Sequence, residues 1–260
     1  MGTWSASGAG GAAMGPTVAG LLLEHFYWGS VLLVNLPVVA LILGVGAWAL
    51  PEARSEGSHS LDLLSVVYST VGILSVVYGI TELAHSGLGL RTAYLALVAG
   101  IGLLWVFLRR QRRLPTPLLD LQLFTQTRFS AAIVAQLVIV FANVGALFFL
   151  PIFLRQVGDF SPLQSGLATL PESIAGLLTA SYTARLIGRW GHRRILLTGL
   201  AAGAAGLILL GLATPMDYPA MVVPLILMGF SFGSVVTVAS DLVLTSASAD
   251  RVGAATGISE

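Results

Sequence analysis

The chain has 260 residues, of which 56% are hydrophobic and 10% are charged, and its mean hydropathy is +0.89. Soluble domains carry about 25% charged residues, so the composition excludes an ordinary soluble domain and predicts an all-α polytopic membrane protein. The formal net charge of +1 indicates no nucleic-acid partner, the lack of cysteine excludes disulfides, and the lack of lysine excludes a P-loop ATPase.

Apolar stretches recur along the whole chain, and a transmembrane helix needs about 20 such residues. We therefore predict eight full transmembrane helices plus the start of a ninth near Val252. The eight predicted spans lie at roughly residues 3–23, 29–50, 61–82, 92–108, 130–153, 162–187, 195–213 and 219–245.

Arginine placement predicts the orientation of these spans, because cytoplasmic loops carry an excess of basic residues. All 13 basic residues are arginines. With residue 1 on the cytoplasmic side, every arginine except Arg91 and Arg155 falls in a cytoplasmic loop. One missed span would destroy this split, so it supports both the span count and the orientation.

The opening span consists almost entirely of small residues. Gly11 and Gly15 are four residues apart, so they share a helix face on which another backbone can approach closely. Pro16 removes a backbone donor and bends or weakens the helix. The stretch predicts a transmembrane helix with a smooth packing face, and an ordinary contact between small-residue helices is the alternative.

The fifth span carries two amide side chains, Gln136 and Asn143, which are seven residues apart and share a helix face. Amides buried in lipid need hydrogen-bond partners or a wet cavity. Two interpretations stay open: they hydrogen-bond a neighbouring helix, or they line a cavity and contact a substrate.

The sixth span contains Glu172, ten residues after Pro162 at its outer end. This position places a carboxyl near the bilayer midplane, where an ionised acid is costly unless it is paired or solvated. No basic residue lies at comparable depth in these spans. We predict that Glu172 is a proton or cation site, with a protonated structural acid as the alternative.

Three further polar features lie towards the cytoplasmic side. Asp62 is interpreted as an acid at a helix start, and residues 109–128 as a basic anchor and linker. Asp241 lies near the cytoplasmic end of the eighth span, so it is either an interfacial acid or a second coupling site. A tight basic loop, in which Gly188 and Gly191 permit the turn, joins the sixth and seventh spans and contains Arg185, Arg189, Arg193 and Arg194.

No residue pattern indicates catalysis or metal binding. The four histidines are scattered without a pair at ligand spacing, and no run of paired carboxylates suited to Mg²⁺ is present. A repeated filter loop of the kind found in channels is also lacking. We therefore predict no enzyme activity, no metal and no cofactor.

Several motifs resemble one transporter family, the fourteen-span drug:proton antiporters of the major facilitator superfamily. The spacing of Gly2, Gly11, Gly15, Pro16 and Gly20 resembles the antiporter signature of that family, in which a glycine stands at the position of Ala19. Similar stretches follow in family order at residues 28–30, 50–52, 117–121, 161–167 and 188–194, the last lacking the acidic residue of the family's basic loop.

The resemblance implies a partial major facilitator fold that runs from the fifth to the start of the thirteenth span. Residues 1–50 would be the last two spans of the N-terminal bundle. Residues 51–128 would be two inserted central spans and a linker, and residues 129–260 would begin the C-terminal bundle. The first four spans and the end of the molecule would be missing, so function is expected of the parent protein.

By this resemblance, the parent would be a multi-pass protein of the bacterial inner membrane that exports hydrophobic or cationic drugs in exchange for protons. The lipid bilayer, these small molecules and protons would be its partners. The glycine face around Gly11 and Gly15 would pack against the opposite bundle. A major facilitator transporter of a specific metabolite, and a truncated membrane protein without transport activity, are the alternatives.

Overall fold

The computed structural model describes residues 2–49, 62–86, 91–114, 119, 121, 123–213 and 218–246. The predicted link at residues 51–60, the family-like stretch 50–52 and the ninth span near Val252 lie outside this part. The predicted packing of Gly2 also lies outside this part, because only the backbone is described for residues 2–10 of the opening helix.

All regular structure in the described residues is helical. Helices α1 to α5 are Gly2–His25, Ser30–Leu33, Asn35–Ala49, Leu63–Ser86 and Arg91–Gln111. After a 3₁₀ turn at Leu123–Thr125, helices α6 to α10 are Thr127–Gln156, Pro162–Ala168, Leu170–Trp190, His192–Leu212 and Tyr218–Ser246. The all-α prediction is confirmed.

Six helical segments of the described part are long and apolar enough to cross a bilayer. They are Ser30–Ala49, Leu63–His85, Arg91–Gln111, Thr127–Gln156, His192–Leu212 and Tyr218–Thr245. The first and sixth predicted spans are also helical, as α1 and α7–α8, but they fall outside this set. The count of eight full spans therefore stays a prediction.

The chain divides into two compact units, one comprising residues 1–52 and 127–246 and the other residues 53–126 and 247–260. In the second unit, α4 and α5 pair along glycines that let the backbones approach closely. A Cβ added to Gly79 would lie 2.9 Å from the carbonyl oxygen of Ala93, and one on Gly100 would lie 2.8 Å from that of Gly72. The division into three segments implied by the resemblance stays a prediction.

In the first unit, α10 is the central helix and packs against α6, α8 and α9. Its buried face explains this position: Met221, Leu225, Val235, Val238 and Val243 are each at most 1% exposed. One apolar cluster joins α10 to the end of α6 through Leu150 and Leu154, and another joins it to the middle of α6 through Ala135 and Ile139. In contrast, α2 and α3 have no buried residues in this chain.

The sixth predicted span is not one continuous helix. Ser161 and Gln164 form a capping box that starts α7, and Pro162 follows the cap, where a missing N–H does no harm. Helix α7 ends at Ala168, and α8 begins at Leu170. Pro171 has no N–H to donate to the preceding turn, which explains the break in the hydrogen-bond ladder.

The turn between α8 and α9 depends on one glycine rather than two. Gly191 has φ 77° and ends α8, and α9 begins at the next residue, His192. Gly188 lies inside α8, so the prediction that it permits the turn is wrong. One residue in the left-handed region is sufficient to end a helix and redirect the chain.

Candidate functional site

Glu172 lies in the first turn of α8, and its side chain is buried, with 4% exposed. The Asn143 Nδ2 donates a hydrogen bond to its Oε1. Asn143 is itself 6% exposed and lies near the midpoint of the 30-residue helix α6. The structure therefore brings together two of the residues that were predicted from the sequence, near the middle of α6.

The second carboxyl oxygen of Glu172, Oε2, has no hydrogen-bond partner in the part of the chain that the structure describes. Because Asn143 donates to Oε1, that oxygen is the acceptor, and Oε2 is the atom free to carry a proton. If the acid is ionised, the same oxygen is free to face a cation. The site thus offers one exchangeable position for a single positive charge.

Close backbone contact with α10 holds the turn that carries Glu172. A Cβ added to Gly229 would overlap the carbonyl oxygen of Glu172 and would lie 2.9 Å from the Ala175 Cβ. One turn along, a Cβ on Gly233 would overlap the carbonyl oxygen of Gly176. This role of Gly229 and Gly233 was not predicted from the sequence, although two glycines four residues apart in an apolar helix are also the pattern that indicated a packing face on α1.

Gln136 lies on α6, two turns from Asn143, and is half-buried. Asn143 joins α6 to α8 through its bond to Glu172, which is the interhelical role left open for the two amides. Contact of Gln136 or Asn143 with a transported molecule stays a prediction. A cavity of about 580 Å³ lies at the far end of α6 and is lined by Pro151, Ile152, Arg155, Gln156, Asp159 and Phe160.

Asp241 does not join Glu172. It lies twelve residues beyond Gly229 on α10, a distance of about 18 Å along the helix axis. Its Oδ2 is 2.7 Å from the His192 Nε2, and the two side chains are 46% and 37% exposed, respectively. This geometry is a hydrogen-bond contact between two partly exposed side chains, and a coupling role for Asp241 stays a prediction.

The four arginines of the predicted basic loop are exposed, but they lie in α8 and α9 rather than in a loop, because Gly191 alone separates the two helices. The Arg185 guanidinium lies 5.7 Å from the centroid of the Tyr182 ring, which is cation–π geometry. Arg189, Arg193 and Arg194 are exposed at the junction of α8 and α9. Arg185 and Arg189 lie towards the C-terminus of α8, where positive charge is favourable, whereas Arg193 and Arg194 lie in the first turn of α9, where the helix dipole does not favour it.

Among the described residues, the close contact of α1 lies at Pro16 and Gly20, which belong to the predicted motif, and packing of Gly11 and Gly15 against the opposite bundle stays a prediction. In the described residues, a Cβ on Gly11 or Gly15 would meet nothing within 4 Å. A Cβ on Gly20 would lie 2.6 Å from the carbonyl oxygen of Pro162, and one on Gly166 would overlap that of Pro16.

Glu24 strengthens this contact and was not selected from the sequence. Its Oε2 accepts hydrogen bonds from the Ser161 hydroxyl and the Leu163 backbone N–H, each at 3.1 Å. A carboxylate suits the N-terminus of a helix, where N–H groups lack partners within the helix. The two partners are more than 130 residues away along the chain, so no local pattern could have identified them.

We expect Gly20→Leu to reduce the amount of folded full-length protein several-fold, because a leucine cannot enter the contact between α1 and α7. Gly211→Leu is the matched control, since a Cβ at Gly211 meets nothing within 4 Å. Fluorescence-detected size-exclusion chromatography of both variants measures the effect. Equal monodisperse peaks for the two variants would contradict the contact.

These features define a polytopic α-helical membrane protein with a buried carboxyl inside a helix bundle. The sequence profile of the Major Facilitator Superfamily matches residues 1–260, and the chain therefore belongs to this family. The family prediction is confirmed, and the chain is a multi-pass bacterial cell-membrane protein.

Curated relatives align along nearly the whole chain. It is 33% identical to the multidrug efflux pump LfrA of Mycolicibacterium smegmatis, over 99% of this chain and 51% of LfrA. It is 31% identical to the methyl viologen resistance protein SmvA of Salmonella typhimurium, over 99% of this chain and 52% of SmvA. It is 30% identical to the multidrug resistance protein Stp of Mycobacterium tuberculosis, over 99% of this chain and 48% of Stp. The chain spans about half the length of the curated relatives it matches.

Proposed function

We propose that this chain is part of a transporter that exports hydrophobic and cationic drugs across the cell membrane in exchange for protons. The observation that carries the proposal is Glu172, a buried carboxyl with one oxygen bonded to Asn143 and the other without a partner in the described residues. Acids inside membrane proteins are costly and mark ion or proton pathways.

The names of the relatives support a cationic substrate. Two of them are a multidrug efflux pump and a multidrug resistance protein, and a third is a methyl viologen resistance protein. Methyl viologen is an organic dication, and a carboxylate inside an apolar bundle attracts such an ion strongly, because the low dielectric constant weakens screening.

Exchange follows from the charge of the site. A protonated Glu172 is neutral. When Glu172 is ionised, a bound cation compensates its negative charge. A bare carboxylate surrounded by apolar helices is far less favourable than either state. The site would open alternately to the two sides of the membrane, and only while Glu172 is protonated or has bound a cation. The entry of a proton would then be coupled to the exit of a cation.

We further propose that all eight long helical segments cross the membrane, with residue 1 in the cytoplasm. Reporter fusions after Gly57 and Arg113 should then give cytoplasmic signals, and fusions after Ser86 and Asp159 should give outside signals. The distribution of arginines motivates this orientation. An outside signal at Arg113 would contradict both the span count and the orientation.

The function is tested in inverted membrane vesicles that contain the full-length protein. An imposed proton gradient, acidic inside, should drive accumulation of methyl viologen at least several-fold above vesicles that lack the protein. A protonophore should abolish the accumulation, and ATP without a gradient should not restore it. Accumulation that is indifferent to the protonophore, or absent with folded protein present, would refute the proposal.

A further inference from the structure

We propose that the end of the α4–α5 hairpin contains a binding site for the phosphate headgroup of an anionic phospholipid. A cavity of about 290 Å³ lies there, and it is lined by Tyr68, Val106, Arg109, Arg110, Arg113 and Leu114. It therefore combines three guanidinium groups with an apolar wall. This site is separate from Glu172 and is independent of the transport proposal.

One of the three arginines is held by the protein itself. The Arg110 Nε and Nη2 donate to the two carboxylate oxygens of Asp62, at 2.9 and 3.1 Å. Asp62 also accepts from the Ser65 N–H and hydroxyl at the start of α4, which confirms its interpretation as a helix-start acid. The Arg110 guanidinium, together with Ser65, holds the pKa of Asp62 well below its usual range, so this pair stays ionised.

A buried amide fixes the same end of the hairpin. Gln111 is 2% exposed, and its Nε2 donates to the Ser65 hydroxyl at 2.9 Å. The Gln111 Oε1 accepts from the Leu119 N–H at 3.2 Å, which ties the following segment back to α5. These bonds, with the Asp62–Arg110 pair, hold the cavity walls in place without using Arg109 or Arg113.

Arg109 and Arg113 give the cavity its net positive charge. Neither forms an ion pair with another described residue, and Arg110 is neutralised by Asp62, so the lining has a net charge of about +2. The Arg109 guanidinium lies 5.1 Å from the centroid of the exposed Trp105 ring. Stacking of this kind orients the planar group and leaves its edge N–H donors available for phosphate oxygens.

The position and size of the cavity select a lipid as the occupant. It lies at the end of the candidate span Arg91–Gln111, beside an exposed tryptophan of the kind that marks the membrane surface. Its volume is at the lower limit of pockets that enclose a drug-sized ligand, about 300–1,000 Å³, so it suits a glycerophosphate headgroup. Val106 and Leu114 continue the apolar surface towards the acyl chains, and positive charge disfavours a cationic drug.

Native mass spectrometry of the full-length protein tests the site. Protein is taken from nanodiscs of equal parts phosphatidylglycerol and phosphatidylcholine, and the fraction that retains each lipid is measured. Arg109→Gln and Arg113→Gln should each lower phosphatidylglycerol retention about fivefold, the usual effect of one basic residue at an anionic surface. Arg112→Gln is the matched control, because Arg112 is exposed at the same helix end but does not line the cavity.

Two further measurements distinguish binding of a lipid in the cavity from general attraction to the arginines and from binding of free phosphate. Val106→Trp keeps every charge but fills the cavity, and it should also lower phosphatidylglycerol retention. Excess inorganic phosphate should not displace the lipid, because the acyl chains contribute to its binding. An equal loss with Arg112→Gln, unchanged retention with Val106→Trp, displacement by phosphate, or equal retention of phosphatidylcholine would each overturn the proposal.

Discussion

Glu172→Gln is expected to abolish proton-driven export of organic cations while leaving the folded protein in the membrane. Glutamine has nearly the same shape and still accepts a hydrogen bond from the Asn143 Nδ2 through its oxygen. It has no exchangeable proton and no negative charge. Loss of the carboxylate from a buried pair with a bound organic cation costs about 3 kcal/mol or more, which corresponds to a rate loss of about a hundredfold.

Methyl viologen accumulation in inverted vesicles, measured at several pH values, tests this expectation. Glu172→Asp should retain part of the activity, because it keeps the carboxyl but moves it away from Asn143. Asp159→Asn is the matched control, since it neutralises an exposed acid at the far end of α6 and should leave transport unchanged. Wild-type rates and an unaltered pH profile in Glu172→Gln would reduce Glu172 to a structural acid.

Gly229→Ala is expected to destabilise the protein more than any other single-methyl addition in α10. The new Cβ would overlap the carbonyl oxygen of Glu172, which belongs to the backbone and cannot rotate away. Overpacking of this kind costs about 1–3 kcal/mol, which lowers the melting temperature by a few degrees. Thermal unfolding of the purified full-length protein, followed by size-exclusion chromatography, measures the shift.

Two variants make this expectation specific to the α8–α10 contact. Gly211→Ala adds a methyl group where nothing lies within 4 Å, so its melting temperature should be unchanged or slightly higher. Ala175→Gly removes one of the three atoms nearest to the new methyl group and should restore little stability in the double variant, because the Glu172 carbonyl remains. Full rescue by Ala175→Gly, or a normal melting temperature for Gly229→Ala, would contradict the geometry.

The class of protein was predictable from the sequence because it depends on local properties. In lipid each backbone group must be bonded within its own segment, so runs of apolar residues predict helices without knowledge of their neighbours. The same reasoning made Glu172 conspicuous, since a carboxyl deep in an apolar run is costly wherever its helix packs. The order of the motifs then predicted the family, which the match over residues 1–260 confirms.

Local break points were only partly predictable. The sequence predicted a sixth span from Pro162 onwards, and the capping box at Ser161 does start a helix there. The division of that span at Thr169 was not predicted, although Pro171 was noticed, because a proline inside a helix is tolerated in some contexts and ends the helix in others. Pro16, by contrast, lies inside the continuous helix α1.

The partners of the important residues were decided only by the tertiary structure. Asn143 and Glu172 are 29 residues apart, and Asp62 and Arg110 are 48 apart, so no periodicity within one helix relates them. The glycines show the same limit: the sequence marked Gly11, Gly15 and Gly20 alike, whereas among the described residues only Gly20 of these three meets the backbone of another helix closely. A small residue permits close approach, but only the packing of the helices determines which permitted face another backbone meets.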